Sequence, residues 1–371
     1  MEPLLWSLKY APSDWSDFIG QDRSISHLRN LAESGSCPNM ILYGPYGTGK
    51  TSAALKFARE FLGDNFASNF KILNVRSVVS YPTSKAKRDL KTLAKLDRSE
   101  RTEFDEYMSV VFREVKEDLK RRGIGRDPNK TQMLQGAIRM FASTMAVSDE
   151  MIKVLVLDEA DALTNSMQQA LRRTMEIYNN VCRFIFVTPS LSGWSPAIIS
   201  RCIPLNFPCP PQDKVRLLVE SIALKEGVSI EPMALDAIAR ESGGDMRRAT
   251  NLLQIAAAYG KTITEDYVYQ CTETPLTEGV RQMITMAING SFKKSRKALR
   301  RLLALERYSP EEILLEIERD IVKRPFQPLI MSQVLNRLSE IDHRVVQASN
   351  PFIQITAFLA SIQRIAAEIA T

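Results

Sequence analysis

Gly44-Pro45-Tyr46-Gly47-Thr48-Gly49-Lys50-Thr51 fits G-x-x-x-x-G-K-[ST] without a mismatch and comes directly after the apolar Met40-Ile41-Leu42. The segment that follows, Ser52-Ala53-Ala54-Leu55-Lys56-Phe57-Ala58-Arg59, has the apolar spacing of an amphipathic helix, so the stretch reads as strand, turn and helix of an α/β fold. Its chemistry is a phosphate cradle. Gly44, Gly47 and Gly49 let the backbone turn tightly and aim successive N–H groups at a β-phosphate, Lys50 reaches the β/γ oxygens, and the Thr51 hydroxyl can ligate Mg²⁺. The positive end of the helix adds to the attraction. The candidate nucleotide contacts here are Gly44, Gly47, Thr48, Gly49, Lys50, Thr51 and Ser52.

Binding a nucleotide is not hydrolysing it, which takes a metal-holding acid and a group that activates water. Val154-Leu155-Val156-Leu157 is a continuous apolar run, as expected of a strand buried on both faces, and it ends in Asp158-Glu159-Ala160-Asp161. Asp158 is placed to support Mg²⁺ together with Thr51, and Glu159 to orient and deprotonate the attacking water.

The chain has 371 residues, 44% hydrophobic and 25% charged, room for two or three domains of ordinary globular composition. No run is long enough to cross a bilayer, and Met1-Glu2-Pro3-Leu4-Leu5-Trp6 lacks the basic-then-apolar order of a signal peptide, so an intracellular protein is expected. Cys37, Cys182, Cys202, Cys209 and Cys271 form no C-x-x-C pair, which argues against a zinc module or a disulfide framework. Isolated His27 and His343 carry no metal signal. A net charge of +6 suits a polyanionic partner without requiring one.

Strand signals stop near Pro204, where Pro204, Pro208, Pro210 and Pro211 break the pattern. Three helices follow, over 213–225, 232–241 and 245–259, punctuated by Gly227, Gly243-Gly244 and Gly260. A second helical set begins near Thr277. In it Ser309-Pro310-Glu311-Glu312 supplies an N-cap, a first-turn proline and a capping-box glutamate, and Asn350-Pro351 opens the last helix. That helix bears an apolar stripe, Phe352, Ile355, Phe358, Leu359, Ile362, Ile365 and Ile369, which packs either within its own bundle or against neighbouring subunits. The expected division is a nucleotide-binding domain over 1–208, a helical lid over 209–272 and an all-α domain over 273–371.

This layout resembles AAA+ clamp-loader ATPases, and the short motifs resemble the small subunits of replication factor C. They are Lys9-Tyr10-x-Pro12 with Phe18-Ile19-Gly20-Gln21, Leu171-Arg172-Arg173-Thr174-Met175-Glu176, Ser200-Arg201-Cys202 and Gly244-Asp245-Met246-Arg247-Arg248-Ala249. The resemblance implies an α/β P-loop AAA+ domain, a helical lid and an all-α collar that mediates oligomerisation. It puts Ile19 beside the nucleotide, Arg247 at sensor 2 over the γ-phosphate in cis, and Arg201 in the ATP site of a neighbouring subunit. Thr188, after the strand over 183–187, falls at sensor 1, where the family more often has asparagine. Ala11 stands where the family motif has arginine, and Tyr46 replaces a proline inside the P-loop.

The resemblance further implies DNA contact by Arg139, Thr164, Gln168, Arg172 and Arg173, with an interface role as the alternative for the two adjacent arginines. Gln135-x-x-Ile138-x-x-Phe141-Ala142 resembles a clamp-interacting box without its final aromatic; the other reading is that Ile138 and Phe141 pack on the central sheet. Between about 77 and 131 the chain exceeds the family's length. That insertion includes Lys85-Ala86-Lys87-Arg88 and the segment 116–122, mixed in charge at helical spacing, and it reads as a solvated helical hairpin, with extra contact to DNA or clamp as the alternative. The function implied is an ATPase subunit of a heteropentameric loader that opens a sliding clamp and places it on primer–template DNA. Such a protein would work in the cytoplasm of an archaeon or the nucleus of a eukaryote. The alternatives are another AAA+ DNA-remodelling ATPase, or a structural subunit of the loader ring.

Overall fold

In the computed structural model, residues 5–87, 102–143, 152–260, 262–272 and 274–370 are described, with side chains to residue 367. They form two compact units, Met1–Glu265 and Asp266–Thr371.

The first unit is built on five parallel strands, β1 (Met40–Tyr43), β2 (Phe70–Asn74), β3 (Lys153–Asp158), β4 (Cys182–Thr188) and β5 (Ile203–Asn206), in the order β2-β3-β4-β1-β5. Side chains alternate across the sheet and are covered on both faces. Ile41, Leu155, Leu157, Phe184 and Phe186 point to one core layer, together with residues of the helices Glu103–Arg121, Lys130–Ser143 and Asn165–Ile177. Met40, Leu42, Val154, Val156, Ile185 and Val187 point to the other, against the helices Asp22–Glu33 and Lys50–Leu62.

Strand β5 lies beyond the point where strand signals were expected to end. Pro204 within it pairs with Ile41. The strand is at the edge of the sheet, and the bonds to its inner neighbour are made on either side of the proline, Ile203 N to Asn39 O at 2.8 Å and Phe207 N to Tyr43 O at 2.7 Å. An edge position leaves the missing N–H without cost.

The three lid helices run Gln212–Lys225, Pro232–Ser242 and Met246–Ala257, with a short parallel pair between Ser229–Ile230 and Thr262–Ile263. The second unit is all-helical, its long helices being Pro275–Ile288, Phe292–Ala304, Pro310–Lys323, Pro328–Gln347 and Pro351–Ala370. Ser309 and Glu312 form the expected capping box, and Asn350 Oδ1 accepts from Phe352 N at 3.1 Å. Ile355, Phe358, Leu359 and Ile362 are buried in the unit's own core, with Phe352 and Ile365 packed against it, so the stripe is filled from within the bundle. The Ile369 side chain lies outside the described residues.

Two expectations are corrected here. The insertion is not a solvated hairpin where it is described. Met108, Val111, Phe112, Val115 and Leu119 of Glu103–Arg121 are buried in the sheet-facing core, and the helix packs so closely on Lys130–Ser143 that a Cβ at Gly136 would fall 2.2 Å from Val115 Cγ2. Its mixed charges are partly consumed internally, since Lys87 and Lys116 share Asp127 at 2.7 and 3.0 Å. Residues 88–101, Arg88 among them, lie outside the described residues. The second correction is the clamp box. Ile138 is 2% exposed and belongs to the sheet-facing core, and Phe141 is half-buried against the same cluster with Lys153 Nζ 5.1 Å from its ring centroid. Gln135 is likewise half-buried, so the three do not form an exposed plug. Ile138→Ala should therefore lower stability by about 2–5 kcal/mol, the cost of a core truncation, and calorimetric melting of the full chain measures it.

Candidate nucleotide site

The order β3-β4-β1 sets the carboxyl ends of three strands side by side, and each end carries a candidate residue. The P-loop leaves β1, Asp158 ends β3 and Thr188 ends β4, with Tyr43 in register with Thr188. Ligands of open parallel sheets collect at such strand ends.

Gly47 has φ +70°, and a Cβ there would fall 1.8 Å from Asp245 Oδ1. No other residue fits this close approach of lid and loop. Met246 N donates to Gly47 O at 3.2 Å across the same contact. Asp245 is at the same time the N-cap of Met246–Ala257, accepting from Arg248 N at 2.9 Å. One carboxylate thus starts the third lid helix and rests against the phosphate loop.

The helix Lys50–Leu62 begins after Gly49, whose missing side chain supplies no cap, so first-turn N–H groups remain free for an anion. Lys50 is buried, and its ammonium donates to the loop itself, to Gly44 O at 2.6 Å and to Pro45 O. Burial pushes its pKa down to about 8, against a smaller upward pull from Asp158 and Asp245. Thr48 Oγ1 donates to Pro45 O at 3.0 Å and stiffens the same turn.

Thr51 Oγ1 lies 3.3 Å from each Asp158 carboxylate oxygen. Burial raises the Asp158 pKa, partly offset by the Glu159 N–H, which donates to Asp158 Oδ1 at 2.9 Å. Glu159 sits in the left-handed region at φ 49°, unusual for a residue with a side chain and a mark of local strain. Its carboxylate leaves the strand end and pairs with Arg76 Nε at 3.0 Å, while Arg76 Nη2 meets Asp161 at 2.7 Å. The sequence reading missed Arg76. The signal lay in strand register: Asn74 of β2 pairs with Asp158 of β3, so residues just beyond both ends, Arg76 and Glu159, become neighbours. Thr188 is buried, donates to Ser190 O at 2.9 Å and is 3.4 Å from the Trp194 Nε1 donor.

Two adjoining cavities open around the loop. One is bordered by Tyr46, Lys50, Thr51, Asp158, Glu159 and Thr188, the other by Tyr10, Ala11, Pro12, Phe18, Ile19 and Thr250. Gly47, Thr48, Gly49, Ser52 and Arg247 border both. Gly44 lies beneath them as an acceptor for Lys50. The first cavity has charged walls and the second is mainly apolar, a division suited to triphosphate and base. Among the described residues no cluster of three His, Cys, Asp or Glu could hold a metal by itself.

Arg201 is not part of this site. It pairs with Glu176 at 2.7 Å and donates to Ala197 O at 2.7 Å on an exposed face. Arg172 approaches the same Glu176 at 3.9 Å, and Arg173 is exposed beside it. Thr164 is exposed and Arg139 half-buried. Gln168 does not join them. It is 3% exposed, with Nε2 donating to Leu163 O and Gly193 O at 3.1 Å each and Oε1 accepting from Ser195 N at 2.7 Å. A side chain so fully used inside cannot also contact DNA, and that expectation is corrected.

Residues 33–194 match an AAA domain family, 218–258 an RCF1/5-like AAA+ ATPase lid domain, and 275–361 the replication factor C C-terminal domain. The replication factor C small subunit of Archaeoglobus fulgidus is 32% identical over 362 residues, covering 98% of both chains. That of Methanococcus maripaludis strain C7 is 33% identical, covering 96% of this chain and 98% of its own. The chain belongs to the replication factor C small subunit family. It is an AAA+ ATPase fold with a helical lid and an all-α C-terminal domain, of the clamp-loader and DNA-replication class. Among solved structures, the Aeropyrum pernix ORC1 protein in complex with DNA is 19% identical with a TM-score of 0.48, covering 85% of this chain and 86% of that one, too weak a likeness to bear on function. No helix among the described residues is long and apolar enough to cross a membrane.

The buried lysine gives a pH test. A lysine with a folded pKa near 8, against an ordinary 10.5, is protonated more readily in the unfolded chain between those values, so stability from this group rises as pH climbs through that window. Below it the burial cost is present in full. Lys50→Met should therefore raise the melting temperature of the nucleotide-free chain at neutral pH, and the gain should shrink toward pH 10.5, the ordinary lysine pKa.

Proposed function

We propose that the chain is the ATP-hydrolysing subunit of a heteropentameric clamp loader, which uses ATP to open a sliding clamp and place it on primer–template DNA. The observation that carries this reading is a division of labour. Lys50, Thr51, Asp158, Glu159, Thr188 and Arg247 surround one pair of cavities, while Arg201 of the same chain is held by Glu176 outside them. An exposed Arg201 outside its own chain's site is free to enter a neighbour's, as the family resemblance implies, and so supports a ring in which each subunit completes the next. The proposed domain limits are 1–208, 209–272 and 273–371.

In the proposed reaction the loop N–H groups and Lys50 hold the β- and γ-phosphates, exchanging the internal Lys50 bonds for phosphate oxygens. Ile19 and the apolar cavity beside it take the base. Thr51 and Asp158 fit Mg²⁺ in the way small hard cations are held, by one or two protein oxygens with phosphate and water completing the shell. When bound, the ion neutralises charge on the β/γ oxygens. Glu159 acts as base toward water once it leaves Arg76, with Thr188 orienting that water through its hydroxyl. Arg247 closes the lid over the γ-phosphate, and the neighbour's counterpart of Arg201 neutralises charge developing there. Arg139, Thr164, Arg172 and Arg173 are proposed to track the DNA backbone.

Two measurements test the reading. Glu159→Gln should bind ATP normally yet hydrolyse it about 10²-fold more slowly or worse; equal turnover in an assembled complex rejects the assigned base. Arg201→Ala should leave nucleotide affinity of the isolated chain unchanged and depress turnover in the complex, by on the order of 10³-fold. In complexes mixing active and mutant subunits, the defect should follow the neighbour's site. A defect confined to the mutant's own site refutes action in trans.

A further inference from the structure

In the second unit the helix Phe292–Ala304, FKKSRKALRRLLA, carries six cations, Lys293, Lys294, Arg296, Lys297, Arg300 and Arg301, and no acid. The formal net charge of the entire chain is +6. One helix therefore holds as much excess positive charge as the whole chain, and the remainder is balanced. All six cations are exposed, and Ser295, Leu299 and Leu302 on the opposite side are buried, so the charge is gathered on a single face. Arg301 is paired with Glu306 at 2.9 Å, and Arg296 lies over the Phe352 ring at 5.4 Å. Lys293, Lys294, Lys297 and Arg300 have no anionic partner among the described residues.

Like charges three and four residues apart on a helix repel. Lys293 with Lys297, Arg296 with Arg300, and Lys297 with Arg301 stand at that spacing, and no acid is interleaved among them. Such a face weakens the helix unless an anion from elsewhere covers it. Its form suggests which kind. The cations without an anionic partner, Lys293, Lys294, Lys297 and Arg300, run about 10 Å along the axis, a row suited to a ligand with repeated negative charge. The only other exposed side chain on the helix is Ala304, so the face offers cations and no other polar group.

We propose that this face binds the sugar–phosphate backbone of DNA. The choice of DNA over another polyanion rests on the clamp-loading reading. The site itself is on a different unit from Arg172 and Arg173, so the two surfaces can be tested apart.

The test is salt-dependent binding of the full-length chain to labelled duplex and to single-stranded DNA of equal length, read by fluorescence anisotropy. If each lost cation met one phosphate, K293Q/K297Q/R300Q should flatten the slope of log K against log salt by roughly 2.7 on duplex or 2.1 on single strand. K297Q alone should give about a third of that change. Whichever arm shows the change names the form of DNA bound. An unchanged slope in both arms overturns the proposal. So does loss of binding that tracks failure of the variant to assemble, seen by native mass, since the face would then be a subunit interface. R172Q/R173Q separates this site from the other surface: if it abolishes salt-dependent binding that K293Q/K297Q/R300Q leaves intact, the helix proposal fails while the clamp-loader reading stands.

Discussion

Burial of β1 on both faces and along both edges is the constraint on which the first unit depends. Met40, Ile41 and Leu42 are fully buried, with β4 on one side and β5 on the other. A strand so placed has no polar surface, and the loop leaving it is the first point at which the chain can do chemistry. Because β3 and β4 run parallel to it, their ends arrive at the same level, which sets Asp158 and Thr188 beside the phosphate loop although they are distant in the chain. The lid is tied to that loop by the Gly47 approach to Asp245, so the geometry of the site and the position of Arg247 are not independent.

Electrostatically the site is at rest. Lys50 satisfies itself on loop carbonyls, Asp158 holds the Thr51 hydroxyl, and Glu159 leans on Arg76. Burial opposes the charged form of both Lys50 and Asp158, which fits groups that await a polyanion and a cation. The Arg76 pair is different, since Arg76 is 58% and Glu159 41% exposed. An ion pair that open to solvent adds about 0–1 kcal/mol, enough to bias where the carboxylate points and too little to lock it.

Much of this was legible in the sequence because the relevant constraints are local. The P-loop, the apolar run ending in Asp158-Glu159, the Ser309 capping box and the lid helices each follow from residues within one or two turns of one another. What was missed depends on distant parts of the chain. Arg76 reaches Glu159 only through the pairing of β2 with β3, and β5 tolerates Pro204 because no strand among the described residues lies beyond it in the sheet. The helix Glu103–Arg121 looked solvated because its polar face is rich in both charge signs, yet Met108, Val111, Phe112, Val115 and Leu119 supply a complete apolar face on the other side.

Gln168 was misread, and Ile138 left between two readings, for a shared reason. A recognition motif and a packing motif can use the same residues at the same helical spacing, and only exposure tells them apart. Gln168 is polar and therefore invites a ligand, but its amide spends its hydrogen bonds on Leu163, Gly193 and Ser195, pinning the start of its own helix to the segment after β4. Leaving those buried groups unpaired would cost about 1–3 kcal/mol each, more than one amide–phosphate contact at a wet surface returns. Ile138 obeys the same balance with apolar area in place of hydrogen bonds: seated against the sheet it is fully desolvated already, so exchanging that seat for a pocket on a partner offers no net burial. Residues left to serve partners are those that the fold has not already used, and it has used both Gln168 and Ile138.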